Sequence, residues 1–337
     1  MVTFDSLSQR LSKEQHTFLV TGAAGFIGSH LTQSLLSLNQ KVVGLDNFST
    51  GYQHNLDAAQ EAVGATNWKN FRFIKGDVSD TQIVGKAVKG VNFILHQAAL
   101  ASVPRSIKNP AASHLANVDG FLTILEAARA EGVKRVVFAS SSSVYGDSTK
   151  LPKVETETGK CLSPYALNKS INEQYAILWK EVYGVQSIGL RYFNVFGPRQ
   201  DPNGAYAAVI PKWIDNARKQ IACTINGDGE TSRDFCFIKN VVQANLLSAF
   251  APDQASGQMY NVAVGERATL RILHDLIWDA LVERKLIKEK IAPIVAPFRE
   301  GDVRHSLADI TKAREHLGYS PSITLIEGMK QLVAALN

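Results

Sequence analysis

The chain has 337 residues, of which 45% are hydrophobic, so it is long enough to bury a sizeable core. Its formal net charge is +5, but lysines and arginines are scattered and often sit beside acids, as in residues 283–285 and 288–290. They form no basic stripe interleaved with aromatics, which argues against a nucleic-acid-binding protein. No apolar run approaches the ~18 residues that span a bilayer, which argues against a membrane protein.

The N-terminus and the cysteines indicate the compartment. Residues 1–16 are mixed polar and amphipathic and lack the apolar stretch of a secretory signal, so we predict a short helix laid against the body of a cytoplasmic protein. The three cysteines, Cys161, Cys223 and Cys236, are odd in number and lack metal-ligand spacing. We therefore expect reduced thiols and no metal site.

From residue 17 to about 195, short β-branched or apolar runs alternate with helical stretches. The predicted strands are residues 18–21, 42–46, 71–75, 93–96, 136–139 and 187–191. Continuous apolar strands separated by helices indicate a parallel sheet covered on both faces.

Past residue 196 the pattern loosens into short pieces punctuated by proline and glycine, which is typical of a lobe built from loops. A helix at 240–251 and a strand at 259–262 predict one return to the first domain. Helices resume at about 270–285 and 326–335. We therefore predict an α/β fold in which residues 1–195 and about 240–262 form one domain, and residues 196–239 and 263–337 form a smaller, mixed lobe.

A glycine-rich turn follows the first predicted strand. Residues 21–28 read TGAAGFIG and open a helix. Glycines at 22, 25 and 28 allow a tight turn, close approach of the backbone to a pyrophosphate and packing of the helix on the strand. The spacing is GxxGxxG rather than GxGxxG, so by itself the segment also fits a turn that binds no ligand.

The second predicted strand ends at Asp46, 24 residues after Gly22. A carboxylate there accepts hydrogen bonds from the adenosine ribose hydroxyls and repels a 2′-phosphate, so NAD is favoured over NADP. A lone aspartate before Asn47 would also fit a turn. The glycine-rich turn, the second predicted strand and the aspartate at its end together favour a dinucleotide-binding site.

A candidate reacting centre combines a tyrosine, a lysine and serines. Of the nine tyrosines, only Tyr165 has a lysine four residues on, Lys169, which shares its helical face. The serines at 140–143 follow the fifth predicted strand, and carboxyl ends of strands line the ligand crevice of open α/β sheets. A phenol with a free pKa of about 10 needs a nearby positive charge to act as a base. Lys169 would supply that charge and hold the nicotinamide ribose, while a serine hydroxyl would relay the proton.

These motifs, in this order, resemble the extended short-chain dehydrogenase/reductase family, and within it the UDP-hexose 4-epimerases. The resemblance covers about residues 17–332 and rests on TGAAGFIG (21–28), LDNFSTG (45–51), HQAA (96–99), SSSSVYGD (140–147), SPYALNK (163–169), RYFNVFGPRQ (191–200), DGETSRDF (228–235) and REGD (299–302). The segments SVPRS (102–106), NGAYAAVIPKW (203–213) and GDVRHS (301–306) look most like the subgroup that acts on UDP-N-acetylhexosamines and their uronic acids.

The resemblance implies a Rossmann-type doubly wound parallel sheet, a UDP-sugar substrate, tightly held NAD and a homodimer built from helices at about 112–131 and 165–183. It implies that Tyr165 removes the proton of the 4-hydroxyl while C4 is oxidised, and that the 4-keto sugar rotates before it is reduced on its other face. The implied catalytic group is Ser141, Ser142, Tyr165 and Lys169, with Ser141 four residues before Tyr145. The implied cofactor contacts are Gly22, Gly25, Phe26, Ile27, Gly28, Asp46, Asn47, Phe48, Ser49, Thr50, Gly51, Asp77, Val78, Gln97, Ala98, Ala99, Tyr165, Lys169 and Tyr192.

On the substrate side, the resemblance assigns Asn194 to the diphosphate or the sugar, Arg233 and Arg299 to the phosphates, and Asp302 to the uridine ribose. Without it, the two arginines would fit surface ion pairs with neighbouring acids. The implied substrate contacts are Ser102, Ser141, Ser142, Ser143, Tyr165, Asn194, Ala208, Val209, Lys212, Trp213, Asn226, Arg233, Arg299, Asp302 and Ser306.

The residue at position 306 is the basis of the prediction about substrate size. Family members restricted to UDP-glucose and UDP-galactose have a tyrosine four residues after the aspartate of REGD, and its ring closes the pocket near C2. Here that position is Ser306, so we expect room for an acetamido group. An exposed loop hydroxyl is the alternative interpretation. UDP-glucuronate and UDP-glucose are the alternative substrates, since UDP-glucuronate 4-epimerases also carry an SSSSVYG run.

Two other classes share the scaffold. Sugar-nucleotide dehydratases place Asp-Glu after the catalytic hydroxyl, and decarboxylases place a glutamate there, whereas this chain has Ser142 and Ser143. A non-catalytic NAD sensor would gain nothing from a poised base. Both classes are therefore disfavoured.

Overall fold

The computed structural model describes residues 2–203, 207–298 and 303–336. Its helices and strands are, in chain order, α1 (Phe4–Leu11), β1 (Thr17–Thr21), α2 (Phe26–Ser37), β2 (Lys41–Asp46), α3 (Gln53–Trp68), β3 (Phe71–Lys75), α4 (Thr81–Ala87), β4 (Phe93–His96), α5 (Val103–Lys108), α6 (Pro110–His114), α7 (Gly120–Ala130), β5 (Arg135–Ser141), α8 (Pro164–Tyr183), β6 (Ser187–Tyr192), β7 (Val195–Phe196), α9 (Val209–Arg218), β8 (Thr224–Asn226), β9 (Ser232–Arg233), β10 (Cys236–Phe237), α10 (Ile238–Ala249), β11 (Gln258–Val262), β12 (Ala268–Thr269), α11 (Leu270–Glu283), β13 (Ile294–Ala296), α12 (Thr311–Leu317) and α13 (Leu325–Ala334). A π-helical turn, Leu115–Asp119, joins α6 to α7.

Seven strands form one sheet in the order β3-β2-β1-β4-β5-β6-β11, and every neighbouring pair is parallel. The chain moves outwards from β1 to β3 and then crosses to β4 on the other side of β1. This reversal leaves a crevice beyond the carboxyl ends of β1 and β4, where open α/β sheets bind their ligands. The predicted doubly wound parallel sheet is confirmed, and β11 forms its edge strand beside β6.

The fifth strand is longer than the sequence pattern predicts. It extends to Ser141, so Ser140 and Ser141 belong to the strand and pair with Arg191 and Tyr192 of β6. The predicted strand stops at residue 139 because serines weaken an apolar run. The tertiary fold nevertheless gives Ser140 a buried carboxylate partner, Glu173.

Apolar side chains are buried on both faces of the sheet, in two clusters. One face carries α2, α10 and the N-terminal helix, whose Leu7 and Leu11 are buried against the body as predicted. The other face carries α4, α7 and α8. Burial on both faces explains why the strands read as continuous apolar runs.

Beyond β6 the elements become short, as the loosened pattern predicts. Three two-stranded ribbons, β7 with β10, β9 with β12 and β8 with β13, alternate with α9 and α11. Within the described ranges, no helix is both long and apolar enough to cross a membrane.

Candidate active site

The glycine turn is tightly packed against the segment that follows β4. Gly22 has φ +67°, and a Cβ on it would lie 2.9 Å from the backbone nitrogen of Ala98. A Cβ on Gly28 would collide with the carbonyl oxygen of Gly22, and one on Gly25 would lie 3.1 Å from the same oxygen. Side chains are excluded at Gly22 and Gly28 and would be tight at Gly25, so the turn stays narrow and the N-terminus of α2 remains open to a ligand.

A cleft of about 780 Å³ opens above this turn, along the carboxyl ends of the strands. This volume lies within the usual range for a ligand pocket. Most of the predicted cofactor contacts line the cleft, namely Gly22, Gly25, Phe26, Ile27, Gly28, Asp46, Asn47, Ser49, Thr50, Asp77, Val78, Gln97, Ala98, Ala99, Tyr165 and Tyr192. Of the predicted catalytic and substrate residues, Ser102, Ser141, Ser142, Tyr165, Asn194 and Ala208 line it as well.

Asp46 ends β2 at the wall of this cleft and is buried. Its two carboxylate oxygens accept hydrogen bonds from the backbone N–H groups of Ala24, at 2.9 Å, and Phe48, at 2.7 Å. Burial raises the pKa of this carboxyl, and the backbone hydrogen bonds oppose the rise. The carboxylate is therefore held rigidly between the glycine turn and the next loop, with lone pairs left to accept from a ribose.

Asp77 and Asn47 meet at the neighbouring wall, beyond β3. The side-chain amide of Asn47 donates to Asp77 over 2.6 Å, and Ser79 donates to the other carboxylate oxygen through its backbone N–H and its hydroxyl. Both residues line the cleft, so the loops after β2 and β3 are joined where an adenosine would lie.

A buried chain of polar side chains supports the floor of the cleft. The Tyr192 hydroxyl donates to the Gln97 side chain over 3.0 Å and accepts from Asn245 over 2.9 Å, while Gln97 donates to Asn245 over 3.1 Å. Tyr192 and Gln97 are predicted cofactor contacts. Asn245, on α10, has no motif that would have identified it.

The candidate base, Tyr165, sits in the first turn of α8 and lines the cleft together with Ser141 at the end of β5, whose hydroxyl is near enough to influence the phenol. Its backbone N–H donates to the Ser106 hydroxyl of α5 over 3.0 Å, which fixes the start of α8 against the segment after β4. Burial raises the pKa of the phenol, and the Ser141 hydroxyl lowers it in part. The phenol therefore needs further positive charge nearby before it can act as a base at neutral pH.

Lys169 lies one helical turn further on and is buried behind the cleft wall. Its ammonium donates to the carbonyl oxygen of Ala139 over 2.7 Å and lies 5.9 Å from the centre of the Tyr165 ring. Burial lowers the pKa of Lys169 to about 8, and the charge of Glu173 opposes this shift. The structure thus brings the predicted serine, tyrosine and lysine together, with the lysine beneath the tyrosine.

Among the residues that the structure describes, several predicted contacts do not line the cleft. These are Phe48, Gly51, Ser143, Lys169, Val209, Lys212, Trp213, Asn226, Arg233 and Ser306. The Phe48 ring packs on Phe73 with centroids 5.3 Å apart, and Trp213 is buried against His274. Large apolar rings pack against other side chains unless a ligand covers them. The sequence alone does not show which of these two applies. Arg299 and Asp302 lie outside the described residues.

The substrate lobe brings Arg233 and Ser306 into one small unit. Arg233 donates to the carbonyl oxygens of Ser232 and Arg304, at 3.0 and 3.2 Å. The backbone N–H of Ser306 donates to the Ser232 carbonyl over 3.0 Å. The segment that carries Ser306 is therefore fixed alongside β9, and the Ser306 side chain is half-buried.

The cleft also has lining residues that the sequence analysis did not single out. The Tyr52 hydroxyl donates to Asp201 over 2.7 Å, and this bond joins the loop before α3 to the loop after β7. Arg105 and Gln200 line the cleft near them. Each follows or belongs to a motif already recognised, since Tyr52 comes directly after residues 45–51 and Arg105 is part of residues 102–106. The recognised motifs and the residues directly after them therefore contribute more of the cleft lining than the individual contacts predicted from them.

Comparison with known proteins decides the family. Residues 18–263 match the NAD dependent epimerase/dehydratase family. The chain belongs to the NAD-dependent epimerase/dehydratase family. The family-level prediction drawn from the motifs is therefore confirmed.

Three similar proteins show the range of activities among its relatives. The chain is 38% identical over 317 residues to the UDP-glucose 4-epimerase of Mycolicibacterium smegmatis, covering 94% of this chain and 96% of that protein. It is 33% identical over 331 residues to UDP-glucuronate 4-epimerase 4 of Arabidopsis thaliana, covering 94% and 74%. The solved UDP-N-acetylglucosamine 4-epimerase of Methanobrevibacter ruminantium, in complex with UDP-N-acetylmuramic acid, has a TM-score of 0.86 and 37% identity, covering 95% and 98%.

Proposed function

We propose that this NAD-dependent UDP-sugar epimerase inverts C4 of UDP-N-acetylhexosamines, such as UDP-N-acetylglucosamine and UDP-N-acetylgalactosamine, and extends to their uronic acids. The observation that carries the reaction is the placement of Ser141, at the end of β5, and Tyr165, in the first turn of α8, in the same cleft as the glycine turn and Asp46. A base at one end of a dinucleotide cleft fits a reaction that removes a hydroxyl proton while the carbon is oxidised.

The residues that would hold NAD fit it physically. Added side chains would fill the turn at Gly22, Gly25 and Gly28, and the carboxylate of Asp46 stands beside that turn. When bound, NAD supplies the transient oxidation and re-reduction of C4. Backbone N–H groups at the start of α2 would face its pyrophosphate, and Asp46 would accept from its adenosine ribose.

Each residue of the reacting centre has a separate task. Tyr165 takes the proton of the 4-hydroxyl. It returns the proton after the 4-keto sugar has rotated in the cleft. Ser141 orients that hydroxyl and relays the proton, because its own hydroxyl lies at the end of β5 in the same cleft as the phenol. Lys169 contributes positive charge beneath the ring and a donor for the nicotinamide ribose.

The choice of substrate rests on Ser306 and on one neighbour. A serine leaves more room than the tyrosine of members restricted to UDP-glucose and UDP-galactose, and the N-acetylglucosamine epimerase of Methanobrevibacter ruminantium is 37% identical to this chain. The second candidate is a UDP-glucose or UDP-glucuronate 4-epimerase, and the relatives with those activities favour it. A dehydratase remains disfavoured, since Ser142 and Ser143 stand where a second acid would be needed.

One assay tests the substrate and the role of Ser306 together. Wild-type protein and Ser306→Tyr are each incubated with UDP-glucose, UDP-N-acetylglucosamine, UDP-glucuronate and the N-acetylated uronic acid, and products are identified by NMR. We expect the highest kcat/KM on the N-acetylated sugars. We expect Ser306→Tyr to lose at least ~5–150-fold on them, the equivalent of ~1–3 kcal/mol of overpacking, and to keep its rate on UDP-glucose.

Two outcomes would contradict this substrate proposal. Highest activity of the wild type on UDP-glucose or UDP-glucuronate would favour the second candidate. An unchanged substrate ratio in Ser306→Tyr would show that Ser306 does not face the sugar. Ser320→Tyr is the control, since Ser320 is an exposed serine in the loop before α13.

We also propose that residues 1–195 and about 240–262 hold NAD, and that residues 196–239 and 263–337 hold the UDP-sugar. The family resemblance further supports a homodimer built from α7 and α8.

A further inference from the structure

Glu173 is a buried carboxylate on α8, one helical turn beyond Lys169. One of its oxygens accepts from the Ser140 hydroxyl over 2.5 Å and from Arg191 Nε over 2.9 Å. The other accepts from Arg191 Nη2 over 2.8 Å. The two-pronged bond to the guanidinium fixes the orientation of the carboxylate, so Ser140 is held by a rigid acceptor.

The position of Ser140 in the strand gives this contact its importance. The residue before it, Ala139, provides the carbonyl oxygen that accepts from the Lys169 ammonium over 2.7 Å. The residue after it, Ser141, lines the cleft beside Tyr165 and provides the hydroxyl proposed to relay the proton. Ser140 therefore lies between the two groups that hold the base and its lysine.

We propose that Glu173 is a positioning residue of the epimerase, which fixes the end of β5 through Ser140 and stands as the buried negative charge one helical turn from Lys169 on α8. This inference rests on the proposed function, because it assigns Tyr165 and Lys169 their tasks. Glu173 does not line the cleft, so it acts through these neighbours.

The charges around Lys169 support the second half of the proposal. On α8 the ammonium faces Tyr165 and Glu173, and on β4 it faces His96. Burial, followed by the charge of Lys169, lowers the pKa of His96 to about 3, so the imidazole is neutral at working pH. Burial lowers the pKa of Lys169 to about 8, and Glu173 opposes this shift. Glu173 is thus the anion that favours the ammonium.

The far side of Glu173 is also occupied by charged groups. Arg191 donates through Nη1 to the carbonyl oxygen of Glu155 over 2.9 Å. Lys312 lies close enough for both Glu155 and Glu173 to favour its charged form. Removal of the Glu173 charge would leave the positive charges of Arg191 and Lys312 less neutralised. Their repulsion would further disfavour the Lys169 ammonium. Both effects move the pKa of Lys169 downwards.

Two variants separate the two halves of the proposal. Ser140→Ala leaves the Glu173–Arg191 pair intact and releases only the strand. We expect it to keep the wild-type NAD content and KM and to lower kcat about tenfold at every pH, since displacement of reacting groups by a fraction of an ångström is costly. Glu173→Gln removes the charge. We expect its kcat to be closest to that of wild type at acidic pH and to fall away progressively as pH rises.

The sign of that pH dependence follows from Lys169. A lower pKa means that the ammonium is lost at a lower pH. The alkaline limb of the kcat–pH profile therefore shifts to lower pH, by about one pH unit for the loss of a neighbouring charge. Lysine labelled with ¹³C at Cε measures the same shift without any turnover, and a Lys169→Met sample identifies the resonance. Glu181→Gln, an exposed glutamate on the same helix, is the control for both measurements.

These measurements keep the inference distinct from the proposed function. A wild type that epimerises no UDP-sugar overturns the function, whereas the NMR titration still reports on Glu173. A Lys169 resonance that titrates alike in wild type and Glu173→Gln overturns the electrostatic role. Wild-type kcat in Ser140→Ala overturns the positioning role. A loss in Glu173→Gln that is equal at every pH would also overturn the electrostatic role, because the missing charge would then leave the alkaline limb of kcat in place.

Discussion

The Tyr165 side chain lies in surroundings that oppose its ionisation. Burial raises the pKa of the phenol, and the Ser141 hydroxyl compensates only in part. Lys169 lies 5.9 Å from the ring centre, close enough to favour a phenolate, and its ammonium donates to the carbonyl oxygen of Ala139. A base of this kind becomes effective only when the cleft is filled and another positive charge stands above the ring.

Replacement of the phenol hydroxyl tests this assignment. We expect Tyr165→Phe to lower kcat ~10²–10⁴-fold, which is the usual contribution of a general base. Its folding and its NAD content should stay as in the wild type, because only the hydroxyl is removed. Steady-state kinetics, thermal unfolding and NAD released on denaturation give the three values. Tyr175→Phe, on the same helix, is the control, and a Tyr165→Phe variant with a near-native rate would rule Tyr165 out as the base.

At the scale of elements, the contact of α2 with the turn before it decides whether the cofactor site forms. Gly28 lies in the first turn of α2, and a Cβ there would meet the carbonyl oxygen of Gly22. That oxygen belongs to the backbone, so a side chain at 28 can be accommodated only if helix and turn move apart. Such a shift would also displace Gly22 from the segment after β4.

We therefore expect Gly28→Ala to purify with far less NAD than the wild type and to lose ~1–3 kcal/mol of stability, as is usual for overpacking. NAD per chain after denaturation and the midpoint of chemical unfolding measure the two effects. Gly85→Ala is the matched control, since Gly85 lies in α4 and no atom would approach its Cβ within 4 Å. Full NAD content in Gly28→Ala would show that the turn does not cradle the cofactor.

At the scale of the whole molecule, one helix carries several exposed apolar side chains along its length. On α8, Leu167 and Leu178 are 51% and 46% exposed, and Val182 is 58% exposed. Leu167 and Leu178 are eleven residues apart, which places them on the same face three turns apart. Leu115, 53% exposed, lies in the helical segment that precedes α7. A second copy of this chain would cover such a face, as the family resemblance implies.

We expect the wild type to sediment as a dimer and the double variant Leu167→Lys, Leu178→Lys to sediment as a monomer that still holds NAD. Two lysines brought face to face with their symmetry copies would be desolvated and would repel one another. Ile326→Lys is the control, because Ile326 is 54% exposed on α13. A variant that remains dimeric would place the interface elsewhere.

The sequence alone determined the features that depend on neighbours along the chain. The glycine turn, the acid at the end of β2 and the pairing of Tyr165 with Lys169 follow from strand and helix periodicity over a few residues. The order of motifs then identified the family, and with it the parallel sheet and NAD. These predictions held because short-range backbone geometry limits which residues can stand at such places.

Only the tertiary structure decided which distant groups meet. The bond between Tyr52 and Asp201, and the buried pair of Glu173 with Arg191, join segments that no periodicity connects. The extent of β5 also depended on a partner, since Ser140 can lie buried within the strand only where Glu173 accepts from its hydroxyl. Burial sets the cost of a polar group and the pKa of an ionisable one, and burial is a property of the folded molecule rather than of any segment.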